Sequence, residues 1–156
     1  MWMSLQKIKM QKNKTAYEAA LHLLKYRGQS TYELCKKLKD RKYPLQEIEE
    51  ALSKLLYYGY VNDMELAEDL FNSYKNRNAY GDAYIHEKMK LRGLSIERHL
   101  TFDEEYAAAL IVMKNKIKIL PVLKHNYRRA ASMLYRRGFS GSVITGVLQN
   151  LGISDF

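Results

Sequence analysis

The sequence has 156 residues, 47% of them hydrophobic, with a single cysteine, Cys35. That length buries a core without a disulfide or metal staple, and one cysteine excludes both an intramolecular disulfide and a cysteine-based zinc cluster. Lys and Arg number 26 against 17 Asp and Glu, a net charge of +9, and the excess is uneven. Residues 1–61 carry 12 basic and 6 acidic side chains, residues 62–103 carry 6 and 8, and residues 104–156 carry 8 and 3. Two basic ends flanking a slightly acidic middle suit a polyanionic partner, or a partner that already holds one. No apolar run approaches the roughly 18 residues of a membrane span, and Met1–Lys14 is too polar and lysine-rich for a signal peptide. A reducing, cytoplasmic setting with no membrane partner is expected.

Helical periodicity dominates and strand alternation is almost absent, so the expected fold class is all-α. Met1–Lys14 reads as a basic N-terminal tail. A first helix is expected over Thr15–Tyr26, with Tyr17, Leu21 and Leu24 on one stripe and Gly28 as its stop. Ser30 followed by Glu33 is a capping box for a second helix carrying Leu34 and Leu38. Pro44 opens a third that buries Leu45, Ile48, Leu52 and Leu55 before Gly59. Asn62 with Glu65 makes another capping box, followed by Leu66, Leu70 and Tyr74. Gly81-Asp82 starts a helix with Ile85 and Met89 that Gly93 breaks, and Ser95–Phe102 reads as a short helix with a weak apolar face. Asp103 caps a longer helix through Ala107, Leu110, Ile111 and Lys114. A connection through Pro121 leads to Asn126–Arg137, with Ala130 and Leu134 inward. Ser142–Asn150 closes the chain on Val143, Ile144, Val147 and Leu148.

The pattern repeats. Leu38, Tyr43 and Ile48 stand five apart at each step, and Leu134, Phe139 and Ile144 reproduce that spacing. Met89 and Leu94 give its first step, but the third position falls on His99. A period of roughly 45 residues fits three stacked three-helix units: 15–61, a degenerate 62–103, and 104–156. Stacked units of this kind are expected to form an elongated, curved body.

No catalytic constellation is visible, so an enzyme is not expected. His22, His86, His99 and His125 are scattered, without metal-ligand spacing or a neighbouring carboxylate cluster. No glycine-rich phosphate loop precedes a helix. No cofactor and no metal are expected, and Glu47, Glu49 and Glu50 suit a helix start facing solvent.

Binding chemistry is concentrated in three basic clusters. Lys36, Lys37, Lys39, Arg41 and Lys42 close the second helix; Lys114, Lys116, Lys118 and Lys124 close the long helix and its connection. Arg128, Arg129, Arg136 and Arg137 lie along the penultimate helix, where Arg129 and Arg136 share a face two turns apart. Lysines at a helix C-terminus also suit the macrodipole, whereas arginine adds bidentate geometry toward phosphate and carboxylate. Tyrosines number 13, with Tyr57, Tyr58 and Tyr60 gathered at one helix end and Tyr26, Tyr32, Tyr43 and Tyr80 at other turns. They have two readings: stacking on unpaired bases, or rings packed inward with the hydroxyl wet.

Several of these landmarks, in order, resemble the RecX family across Thr15–Leu151. They are Ala16–Arg27 with Ser30 and Glu33-Leu34, then Leu38 through Tyr43, then Gly59-Tyr60-Val61-Asn62-Asp63 before Leu66-Ala67. Gly81 with Ile85, and Arg92-Gly93-Leu94, are similar to its middle repeat; Arg136-Arg137-Gly138-Phe139-Ser140 with Ile144 is similar to its C-terminal signature. The resemblance implies three tandem three-helix repeats and binding in the groove of a RecA–DNA filament. It further implies inhibition of RecA's ATPase, strand exchange and co-protease activities. A monomer is expected, with weaker phosphate contacts to single- and double-stranded DNA. Only Arg136 and Arg137 carry over residue by residue. The rival from a different class is a stand-alone DNA-binding protein with a helix-turn-helix unit over Tyr135–Leu148 and Gly138 at its turn.

Overall fold

A computed structural model describes residues 14–155 of the chain. Most of the expected basic tail, residues 1–13, lies outside the described residues. Among the described residues the protein is all-helical. The α-helices are α1 (Ala16–Leu24), α2 (Thr31–Asp40), α3 (Leu45–Tyr57), α4 (Asp63–Asn76), α5 (Asp82–Leu91), α6 (Phe102–Ile119), α7 (Tyr127–Arg136) and α8 (Gly141–Asn150). A 3₁₀ turn, Pro121–His125, joins α6 to α7. None of these helices is long and apolar enough to cross a membrane. The chain divides into two compact units at Leu66/Ala67.

In the first unit, α1 packs on α2 and α3, and α2 packs on α3. The core holds Leu34 and Leu38 from α2 with Ile48 and Leu55 from α3, all fully buried. Alanines, not the expected stripe, form the buried face of α1: Ala16, Ala19 and Ala20 are buried, while Tyr17, Leu21 and Leu24 are half-buried around them. Their small side chains allow close approach of the backbones. Leu45, expected inside, is 55% exposed at the first position of α3, one turn ahead of the buried stripe that Ile48 begins.

In the second unit, α6 packs against α8 and the 3₁₀ turn, and α7 packs against α8. Ala108, Ala109, Val112 and Met113 of α6 meet Leu134, Phe139, Val143, Val147 and Leu148. The buried face of α6 is therefore rotated from the expected one, leaving Ala107 exposed and Ile111 45% exposed. Residues 107–113 run Ala-Ala-Ala-Leu-Ile-Val-Met, and a stretch apolar on every side does not determine by pattern which side is buried. Thr101, not Asp103, caps α6: its Oγ1 accepts the Glu104 N–H at 3.2 Å, and Glu104 Oε2 accepts the Thr101 N–H at 3.0 Å. Asp103 sits inside the first turn, where its charge suits the dipole.

The expected helix over Ser95–Phe102 does not form; residues 94–101 are irregular. Neighbouring helices satisfy this segment's polar groups instead. Arg98 Nη1 donates to Asn72 Oδ1 at 3.0 Å, with the guanidinium 4.9 Å from the centre of the Phe71 ring. The Leu100 N–H donates to Asp82 Oδ1 at 2.7 Å.

The five-residue repeat has a physical origin. At the ends of α2, α5 and α7 the N–H groups of Tyr43, Leu94 and Phe139 donate to the carbonyls of Leu38, Met89 and Leu134, at 3.2, 2.9 and 3.3 Å. The residue before each acceptor's partner has positive φ: Lys42 at 65°, Gly93 at 69° and Gly138 at 83°. These are Schellman caps, in which the last free carbonyls are satisfied and an apolar side chain after the turn closes on one from the last turn. Leu55–Tyr60 and Leu148–Ile153 make the same bond through Gly59 and Gly152.

Candidate functional site

The α2 cluster is mostly open. Lys36, Lys39, Arg41 and Lys42 are exposed, whereas Lys37 is half-buried and its Nζ donates to Gln29 Oε1 at 2.7 Å. On α6, Lys114 and Lys118 are exposed and Lys116 half-buried; Lys124 is exposed on the 3₁₀ turn. These lysines lead along the chain into α7, where Arg128, Arg129 and Arg136 are exposed. Helix α7 has no acidic residue and the largest separation of polar from apolar faces among these helices. Asn126 caps it, accepting the Arg129 N–H at 3.0 Å, and Ala130 and Leu134 anchor it to the core.

Arg137 is placed differently from its neighbour. It is half-buried, its Nη1 donates to the Ala79 carbonyl at 3.1 Å, and its own carbonyl accepts the Gly81 N–H at 2.8 Å. Its guanidinium lies 6.0 Å from the Tyr80 ring, which stacks on Tyr84 at 4.1 Å. Burial and the adjoining Tyr80 push the Tyr84 hydroxyl above its usual range. Arg136 faces outward on the rim of an open depression of about 600 Å³, with Asp82, Glu87 and Glu105 among its other lining residues.

The tyrosines split between their two readings. Tyr57, Tyr58 and Tyr60 are exposed, at 84%, 63% and 58%; the Tyr57 and Tyr58 rings meet edge-on with centroids 5.2 Å apart, and those of Tyr58 and Tyr60 are tilted at 6.4 Å. Tyr26 and Tyr32 are also exposed, whereas Tyr43 and Tyr80 are half-buried. Tyr57 and Tyr58 stand at the end of α3 and Tyr60 follows the Gly59 turn, between buried Leu55 and buried Val61.

The structure corrects one reading of the histidines. His86 and His99 are stacked, centroids 4.5 Å apart, and both face the Asp82 carboxylate. Their spacing in sequence gave no signal, because His99 reaches Asp82 from the irregular segment that was expected to be helical.

Comparison with known proteins places this arrangement. The family model described as "RecX, first three-helix domain" matches residues 16–55, the span of α1 to α3 up to Leu55. A protein named "Regulatory protein RecX" from Bacillus velezensis is 32% identical over 146 residues, covering 87% of this chain and 55% of the relative. The chain is similar to RecX proteins over 87% of its length. A family member from Legionella pneumophila is 26% identical over 142 residues, covering 87% of this chain and 94% of its own. The crystal structure of RecX from Lactobacillus salivarius matches with a TM-score of 0.74 at 22% identity, over 89% of this chain and 96% of that one. At that identity the structural match speaks for the fold. The chain spans about half the length of the Bacillus and Geobacillus RecX relatives it matches.

Proposed function

We propose that this protein restrains homologous recombination by docking in the groove of a RecA–DNA filament, where it inhibits RecA's ATPase, strand exchange and co-protease activities. Similarity to RecX proteins supports the class. The observation that carries the reading on this chain is the exposed row Arg128, Arg129 and Arg136 on α7, an acid-free helix anchored from behind by Ala130 and Leu134. Guanidinium groups on a rigid helix face engage phosphate or carboxylate bidentately. Lys36, Lys37, Lys39, Arg41 and Lys42 on the first unit, and Lys114, Lys116 and Lys118 on the second, add phosphate or acidic-surface contacts. Arg137 contributes by holding the turn that presents Arg136. The protein acts as a monomer that bridges neighbouring RecA subunits and binds the inactive or disassembling filament more tightly, since only differential affinity shifts an equilibrium.

The stand-alone helix-turn-helix reading makes α8 the recognition helix. That helix carries no charged residue, so base and phosphate readout would fall on Ser, Thr, Gln and Asn alone. Titration of the protein into RecA on single-stranded DNA, with ATP hydrolysis as readout, tests the proposal. Inhibition at substoichiometric ratios is expected, lost when Arg128, Arg129 and Arg136 become Glu while helical content stays the same. Undiminished inhibition by that variant removes the α7 face from the mechanism. No effect on RecA, together with sequence-specific DNA binding by the protein alone, establishes the rival.

A further inference from the structure

The irregular segment 94–101 returns to the start of α5 and assembles a group of donors that the regulatory reading does not use. Asp82 and His86 stand one turn apart on α5, and His99 arrives from the segment. Asp82 Oδ2 is 2.6 Å from His99 Nδ1, and Asp82 Oδ1 is 3.5 Å from His86 Nε2. The imidazoles stack with planes 20° apart, and each brings a nitrogen within 3.5 Å of an oxygen of the same carboxylate. The three donor atoms lie within 4.8 Å of one another. The Arg98 carbonyl oxygen, 3.0 Å from His86 Nε2, adds an oxygen beside them.

We propose that Asp82, His86 and His99 form a site for a divalent transition-metal ion, zinc foremost. Two imidazole nitrogens and one carboxylate oxygen are a borderline donor set, suited to Zn²⁺, Co²⁺ or Ni²⁺ rather than to Mg²⁺ or Ca²⁺, which take oxygen ligands. Three protein ligands leave a tetrahedral ion one position for water or the Arg98 carbonyl. Bonds of 2.0–2.2 Å place donors on a tetrahedral ion about 3.3 Å apart, so the 2.6 Å pair of Asp82 Oδ2 and His99 Nδ1 must open by about 0.7 Å, and the widest separation must close by no more than about 1.5 Å. His99 can supply that movement: its side chain is 65% exposed, while Asp82 and His86 are fixed by the helix. A supporting shell is already in place. The Leu100 N–H donates to Asp82 Oδ1 at 2.7 Å and the Phe71 ring flanks His86 at 6.1 Å, contacts of the kind that orient metal ligands. Partial exposure of the Asp82 and His86 side chains, 22% and 25%, leaves a path for the ion. The bound metal would cross-link the segment 94–101 to α5, replacing the hydrogen bond between His99 and Asp82 with a coordinate bond.

The test is a titration of the whole protein, stripped with a chelator, with Co²⁺ and then with Zn²⁺ in competition. One equivalent of Co²⁺ is expected to give a visible d–d band that Zn²⁺ abolishes, and Zn²⁺ is expected to raise the unfolding temperature. His99→Ala, on an exposed side chain and so safe for folding, should weaken binding by about tenfold or more. His86→Ala combined with it should abolish the band, while His22→Ala and His125→Ala leave it unchanged. The proposal is overturned if no saturable band appears, or if the double variant, folded by circular dichroism, still binds one equivalent.

Discussion

The Gly81 N–H donates to the Arg137 carbonyl at 2.8 Å, and at this crossing two stretches of backbone 56 residues apart touch with no side chain between them. A Cβ on Gly81 would lie 2.3 Å from the Gly138 carbonyl oxygen, and one on Gly138 would lie 2.2 Å from the Tyr84 nitrogen. The start of α5 and the turn after α7 are thus docked backbone to backbone, and the same contact orients Arg136 and Arg137.

Gly81→Ala is accordingly expected to cost about 3 kcal/mol or more, because backbone atoms cannot yield as a flexible side chain can. Gly138→Ala adds the strain of φ +83° to the clash. Gly152→Ala is the control: φ is +70° but nothing lies within 4 Å, so only the left-handed penalty of about 1 kcal/mol applies. Urea denaturation of the three variants separates the terms. Equal losses for Gly81→Ala and Gly152→Ala would show that the crossing opens without cost.

At Lys42 the direction is opposite. It occupies the left-handed position of a Schellman cap that glycine fills at the ends of α5 and α7. Lys42→Gly should stabilise the protein by about 0.5–1 kcal/mol, read as a raised urea midpoint. A neutral result would mean that the entropy gained by the unfolded chain offsets the relief of strain.

Glu104 gives the protein a defined pH dependence. The ammonium of Lys75 and the Thr101 N–H hold its carboxyl below the usual carboxylate range. A folded-state value below the unfolded one means that this stability is present above the ordinary glutamate range and is lost as pH falls through the lower, folded value. Both partners are about one-third exposed, so the effect is no more than about 1 kcal/mol. Glu104→Gln should be less stable than the parent at neutral pH, with the two curves converging in acid. A gap that persists in strong acid would trace the loss to the cap geometry alone.

The arginines of α7 divide into two kinds, separable by salt. Replacing Arg128, Arg129 and Arg136 with Gln should lower the slope of log K against log salt for single-stranded DNA by about 2, near 0.7 per phosphate contact, with little change in unfolding temperature. Arg137→Gln should do the reverse. Losing its bond to the Ala79 carbonyl costs about 1–2 kcal/mol and leaves the salt slope intact. Identical salt slopes for the triple variant and the parent would exclude all three from phosphate contact.

Much of the fold is legible without coordinates because its signals are local. The Ser30–Glu33 capping box, the stops at Gly59 and Gly93 and the Leu38–Tyr43 and Leu134–Phe139 spacings each involve residues within one turn of a helix end, so short-range hydrogen bonding fixes them; the stop expected at Gly28 does not hold, since α1 ends at Leu24 with Lys25 as its C-cap. The ordered landmarks from Ala16 to Ile144 point to the family for the same reason. What the sequence leaves open depends on neighbours distant along the chain. The buried side of α6 is decided by what α8 offers it, since residues 107–113 are apolar all round. The segment 95–101 is kept from helix by Asn72, Asp82 and His86, which compete for its polar groups from α4 and α5. Arg136 and Arg137 are adjacent and chemically alike, yet one faces solvent and the other is bound to the Ala79 carbonyl, because only one lies against the Gly81 crossing. Local chemistry specified the helices and their ends; long-range satisfaction of polar groups and close backbone packing decided which faces, and which charges, remain available.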